Sequence, residues 1–281
     1  MRHTALRVLL GALVCLGGWS AVAQEPAPPA MDPLHRPFDE ILDIYVRDGL
    51  VYYHALKLER PRFDRYVASL DVAPAVYQAW TPPRQLAFWL NAYNAFVLRT
   101  VIDHYPIRGR APQYPASSIR QIPGAFEART FRAAGRTVTL DGIEKEILPG
   151  FGDARAYLVL GRGAVGSMRL RSEAFTGERL DAQLSQAAAE SVTRHALVQV
   201  DQVAGVLSAS PVFSWREPMF VASFADRAPA TFATRSAIER AILALVDPHL
   251  VTSERDYLRR NDFRVVFHEF DWAINDLTNR P

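Results

Sequence analysis

Cysteine is almost missing from this chain: Cys15 is the only one in 281 residues. It falls in a stretch that reads as an export signal, so the mature chain is expected to hold no thiol. That excludes disulfides, a thiol nucleophile and cysteine-based metal sites. Lysine is nearly as scarce, with Lys57 and Lys145 the only two beside thirty arginines. His35, His54, His104, His195, His249 and His268 are scattered, and none forms an H-x-x-x-H or similar metal pair. No metal and no cofactor are therefore expected. No apolar run approaches the roughly 20 residues that a transmembrane helix needs.

The first residues carry what remains of the localisation signal. Arg2 and Arg7 form a positive segment, residues 8–16 an apolar one, and Ala21-Val22-Ala23 a small-x-small cleavage site before Gln24. Residues 1–23 are thus expected to be a signal peptide, residues 24–34 a Pro/Ala-rich linker, and residues 35–281 one large domain. Such a protein works in the periplasm or outside the cell. Cleavage removes two arginines and no acidic residue, leaving thirty basic and thirty acidic side chains. A balanced charge argues against nucleic acid as a partner, since phosphate backbones need a clustered positive surface.

Hydrophobic periodicity predicts helices over residues 38–46, 60–69 and 73–79. The strongest follows Pro82-Pro83 and runs through RQLAFWLNAYNAFVLRTVIDHY. It is apolar nearly all round, which marks a buried central helix. Residues 128–140 read as a hairpin turning at Ala134-Gly135. Asp141 with Glu144 reads as a helix cap and its partner. Further strands are expected over residues 156–160, 197–200 and 264–270, and helices over 180–192 and 236–246. Without a regular βαβ repeat, the fold class is α+β: a mixed sheet packed against the buried central helix.

Few residues offer chemistry. Gly161-Arg162-Gly163-Ala164-Val165-Gly166 has the G-x-G-x-x-G form of a dinucleotide-binding turn. That turn must open a long helix and be followed about 20 residues later by an acid ending a second strand. Here Gly177 breaks the following segment and Asp181 starts a helix, so a tight glycine loop is the expected structure. Ser167, just after the loop, is the one nucleophile candidate by position, with His268 and Asp271 as possible acid–base groups. Arg162, Arg169 and Arg171 around the loop could instead bind a carboxylate or phosphate. Asn91 and Asn94 lie three apart on the buried helix and are expected to tie neighbouring backbone in place.

Leu86-Ala87-Phe88-Trp89-Leu90-Asn91-Ala92-Tyr93-Asn94-Ala95 resembles the hallmark helix of the proteins called domain of unknown function 547. Leu140-Asp141-Gly142-Ile143-Glu144, the LRSEAF stretch at 170–175, Leu180 to Leu184, Phe213-Ser214-Trp215 and the closing run from Phe270 through Trp272 to Asn275 match that family in order. The resemblance supplies no activity; it implies exported bacterial relatives and modules in plant and animal proteins. Typical members carry two cysteines where this chain has Arg162 and Ser167, and histidines where it has Lys145 and Tyr157. The chain is therefore expected to be a non-catalytic binding protein of the envelope, for a small anionic ligand or a protein partner. Arg162, Arg169 and Arg171 would hold the ligand, with Asn91, Asn94, Glu144 and Trp272 in support. The alternative is a hydrolase with Ser167 in place of a cysteine.

Overall fold

The helix Pro82–His104 is the axis on which the fold is assembled. The computed structural model describes residues 31–278, so the expected signal peptide, Cys15 and the cleavage site lie outside the described residues. Proline at the first helical position costs no hydrogen bond, because that N–H has no partner within a helix, and its fixed φ suits the first turn. The helix stops at Tyr105, which is extended as the residue before Pro106 must be. From Leu86 to Leu98 every side chain is buried. A helix covered on all sides needs neighbours on all sides. Those packed most closely on it are the helices Tyr53–Leu58, Arg60–Ser69 and Leu180–Thr193 and the turns Leu140–Gly142 and Leu148–Phe151.

The first described helix, Arg36–Tyr45, buries Phe38, Ile41, Leu42 and Tyr45, an i, i+3, i+4, i+7 stripe. Phe38 stacks on Tyr66 with ring centroids 4.7 Å apart. A hairpin follows, β1 (Val46–Arg47) and β2 (Leu50–Val51), turned by Asp48 and Gly49 with both φ positive. Contacts with the domain begin before His35, the expected domain start. Arg84 donates Nε to the Asp32 carboxylate at 2.7 Å, and Leu34 packs against the core.

The hairpin expected around Ala134-Gly135 is present as β3 (Phe131–Ala133) and β4 (Arg136–Val138), and Phe131 stacks on Phe96 of the central helix at 4.3 Å. A three-stranded sheet joins β5 (Val198–Asp201), β6 (Val206–Ala209) and β7 (Arg264–Phe267), antiparallel between the first pair and parallel between the second. The fold is α+β, and this sheet is mixed. It does not cover the central helix as expected; four-residue strands buried on one side are too small for that, and helices take the role. The last strand also ends at Phe267 rather than residue 270.

Two further expectations are overturned. Residues 156–159 belong to a 3₁₀ helix, Ala154–Val159, capped by the Asp153 carboxylate, which accepts the Arg155 N–H at 3.0 Å, and Leu160 follows it in extended backbone. Its apolar run is buried on every side, and such a run shows no period by which strand and helix could be told apart. Nor does Asp141, with Glu144 as its partner, cap a helix. Thr139 does so, its hydroxyl accepting the Gly142 N–H at 2.9 Å, which leaves Glu144 free for other partners.

Candidate functional site: a carboxylate between two guanidiniums

Glu144 sits in a single π-helical turn, Ile143–Ile147, a distortion often found at functional sites. Its side chain points inward and is 4 % exposed. Oε1 accepts Nη2 of Arg162 at 2.6 Å and both Nε and Nη2 of Arg216, at 3.1 and 2.9 Å. Oε2 accepts the Tyr93 hydroxyl at 3.1 Å. Four segments meet here: the central helix through Tyr93, the π turn, the glycine loop through Arg162, and the corner between helices Val212–Trp215 and Glu217–Phe224 through Arg216. Burial alone would raise the Glu144 pKa, but the two guanidiniums outweigh it and hold the carboxyl below its ordinary value. Arg162 is 3 % exposed and remains charged because Glu144 offsets its desolvation. Two cations on one carboxylate leave one positive charge over.

This cluster forms the floor of a pocket of about 340 Å³. Trp215, Trp272 and Phe126 make the walls. The two tryptophan rings lie nearly parallel with centroids 6.1 Å apart, and Phe270 packs on both. The Arg120 guanidinium lies over Phe126 at 4.4 Å and over Trp272 at 4.6 Å, and bonds Glu127 at 2.6 Å. Its Nε is buried without a hydrogen-bond partner. Lys145 is paired with Asp141 at the rim. Four cations against three carboxylates line the pocket, so its net charge is positive.

The structure separates most of the residues singled out by sequence. Arg162 lines this pocket, but Arg169 and Arg171 lie in another cleft, where Glu190, Asp48 and Glu173 neutralise them. The expected trio of arginines is therefore not one site. Ser167 is half-buried, and its hydroxyl accepts the Arg162 N–H at 3.0 Å. His268 meets Ser208 through Nδ1 at 3.4 Å, and Asp271 accepts the Ala273 N–H at 2.8 Å. None of these three side chains hydrogen-bonds another. Trp272 is a wall of the pocket rather than a support behind it.

The two asparagines behave as expected. Asn91 bonds both N–H and C=O of Phe175 at 2.9 Å. Asn94 donates to the Val159 carbonyl at 3.1 Å and accepts the Gly161 N–H at 2.8 Å, fixing the start of the glycine loop. The glycines have packing reasons. A Cβ on Gly163, where φ is +68°, would press on Val97, Val101 and Ile119. One on Gly166 would fall 2.7 Å from the Asp271 nitrogen. The loop carries Arg162 into the pocket and opens no helix. Among the described residues there is no cluster of metal-ligating side chains, and no helix is long and apolar enough to cross a membrane.

The family described as "Protein of unknown function, DUF547" matches residues 77–192, from just before the central helix to the end of the helix that starts at Leu180. That stretch of the chain is similar to the DUF547 proteins. No curated protein and no solved structure matches it. Arg162 and Lys145 line the same pocket, and Ser167 bonds the backbone of Arg162. Tyr157 is buried beside Arg216 with its hydroxyl unpartnered and its pKa pushed up to about 12, by burial first. Sequence reasoning missed Arg216, Arg120 and Tyr93. Arg216 had a signal in its place directly after Phe213-Ser214-Trp215, and Tyr93 in its place between Asn91 and Asn94.

Proposed function

We propose that this chain is an exported, non-catalytic binding protein of the cell envelope that holds a small anionic ligand in the Glu144 pocket. The observation that carries the reading is the positive charge left over where Arg162 and Arg216 share one oxygen of Glu144. In a water-poor floor that charge attracts an anion far more strongly than an exposed arginine does. A concave pocket of this volume suits a small molecule better than a protein surface. The export part rests on the N-terminal sequence alone. Against the hydrolase stands the setting of Ser167: a hydroxyl without an adjacent base is a weak nucleophile, and neither His268 nor Asp271 is bonded to it.

The test is Ser167→Ala together with a fluorophosphonate probe. For a binding protein, calorimetric anion affinity survives the substitution and the probe labels nothing. Stoichiometric labelling of Ser167, abolished by Ser167→Ala and by His268→Ala, would establish the hydrolase instead.

A further inference from the structure

The pocket says more about its ligand than the sign of its charge. Its rim cations are already matched, Arg120 by Glu127 and Lys145 by Asp141. The surplus is therefore a single positive charge, located at the floor on Arg162 and Arg216. A guanidinium has five N–H donors in a planar fork, which suits the two oxygens of a carboxylate. Arg216 donates to Glu144 and to the Trp215 carbonyl, and Arg162 to Glu144 and the Leu160 carbonyl, so about half of their ten donors remain for a ligand. A second negative charge on the ligand would face Asp141 and Glu127 with nothing left to balance it.

The walls are of a different character. Trp215 and Trp272 line the pocket with near-parallel rings, and Trp215 is 37 % exposed. Aromatic side chains of this kind favour a planar partner by stacking. The volume lies at the small end of the range for ligand pockets, about 300–1,000 Å³.

From these features we infer that the ligand class is an aromatic monocarboxylate, its carboxylate on Arg162 and Arg216 and its ring against Trp215 and Trp272. This rests on the anion-binding reading above and narrows it from any anion to one head and one body.

Four probes that differ by one feature each separate the possibilities: benzoate, acetate without the ring, benzyl alcohol without the charge, and phenyl phosphate with a second charge. Each is titrated into the mature chain by calorimetry near pH 7.5, with tryptophan emission as a second readout. Benzoate is expected to bind at least tenfold more tightly than the other three and to change the tryptophan emission. Trp215→Ala, with its melting curve recorded to show that it is folded, should weaken benzoate at least fivefold and weaken acetate far less. Arg216→Gln should weaken both anions, with its melting curve recorded to show that it is folded. If acetate or phenyl phosphate binds as tightly as benzoate and Arg216→Gln abolishes that binding, the aromatic monocarboxylate is wrong while the anion site stands. If benzyl alcohol matches benzoate, or no anion binds, both are wrong.

Discussion

Replacing Glu144 by Gln keeps the side-chain shape and removes one charge from a site that holds three. In the parent, Oε1 alone receives three N–H contacts from Arg162 and Arg216. After the change Arg162, 3 % exposed, keeps its charge but has no counter-ion within reach. Removing one partner of a buried pair costs about 3–5 kcal/mol. For a domain of this size each kcal/mol shifts the melting temperature by about 2–4 °C, so Glu144→Gln should melt roughly 6–20 °C lower. The double change Glu144→Gln with Arg162→Met removes both buried charges and leaves Arg216, which reaches solvent. It should recover a good part of the loss, since apolar replacement of a whole buried pair is often neutral. Thermal and urea denaturation followed by circular dichroism read both effects, and the double-mutant cycle isolates the coupling. A Glu144→Gln melt within about 2 °C of the parent would refute the reasoning. So would a double mutant less stable than both single ones.

Asn94→Ala should cost about 1–3 kcal/mol by urea denaturation, because the Val159 carbonyl and the Gly161 N–H would lose their buried partner; a melt like the parent's would contradict that. His35 is buried, with its pKa pushed down from 6.5 to about 4 by desolvation, against the opposing pull of Asp32. Its contribution is therefore complete above pH 6.5 and drains away as the pH falls from 6.5 towards 4, so urea midpoints should decline across that window and His35→Gln should flatten the decline. Glu144 acts lower: its stabilisation is complete above its ordinary 4.5 and is lost as the pH drops through its depressed folded value. The intact mass of exported protein should begin at Gln24, and a secreted pool retaining residues 1–23 would overturn the signal-peptide expectation.

The central helix was legible because its cause is local. Two prolines open it, apolar residues fill every face, and Pro106 forces its last residue to extend. The hairpin at Ala134-Gly135 and the helix over residues 236–246 were legible for the same reason. Glu144 was misread because a glutamate three residues after Asp141 has the spacing of a cap. Its true partners lie 18 and 72 residues further along the chain, and nothing in a local pattern points across that separation. The arginines around the glycine loop misled in the opposite way. Arg162, Arg169 and Arg171 are neighbours in sequence, but the loop turns Arg162 inward and leaves the other two among surface acids.

The most direct test of binding at Arg162 and Arg216 is anion affinity in two variants from different clefts. Acetate, benzoate, phosphate and phenyl phosphate are titrated by calorimetry into the parent, Arg216→Gln and Arg169→Gln. At least one anion should bind the parent, with Arg216→Gln weakening it tenfold or more and Arg169→Gln leaving it unchanged. No binding by any of the four, or loss in Arg169→Gln with Arg216→Gln unaffected, would contradict the assignment of the Glu144 pocket as the binding site.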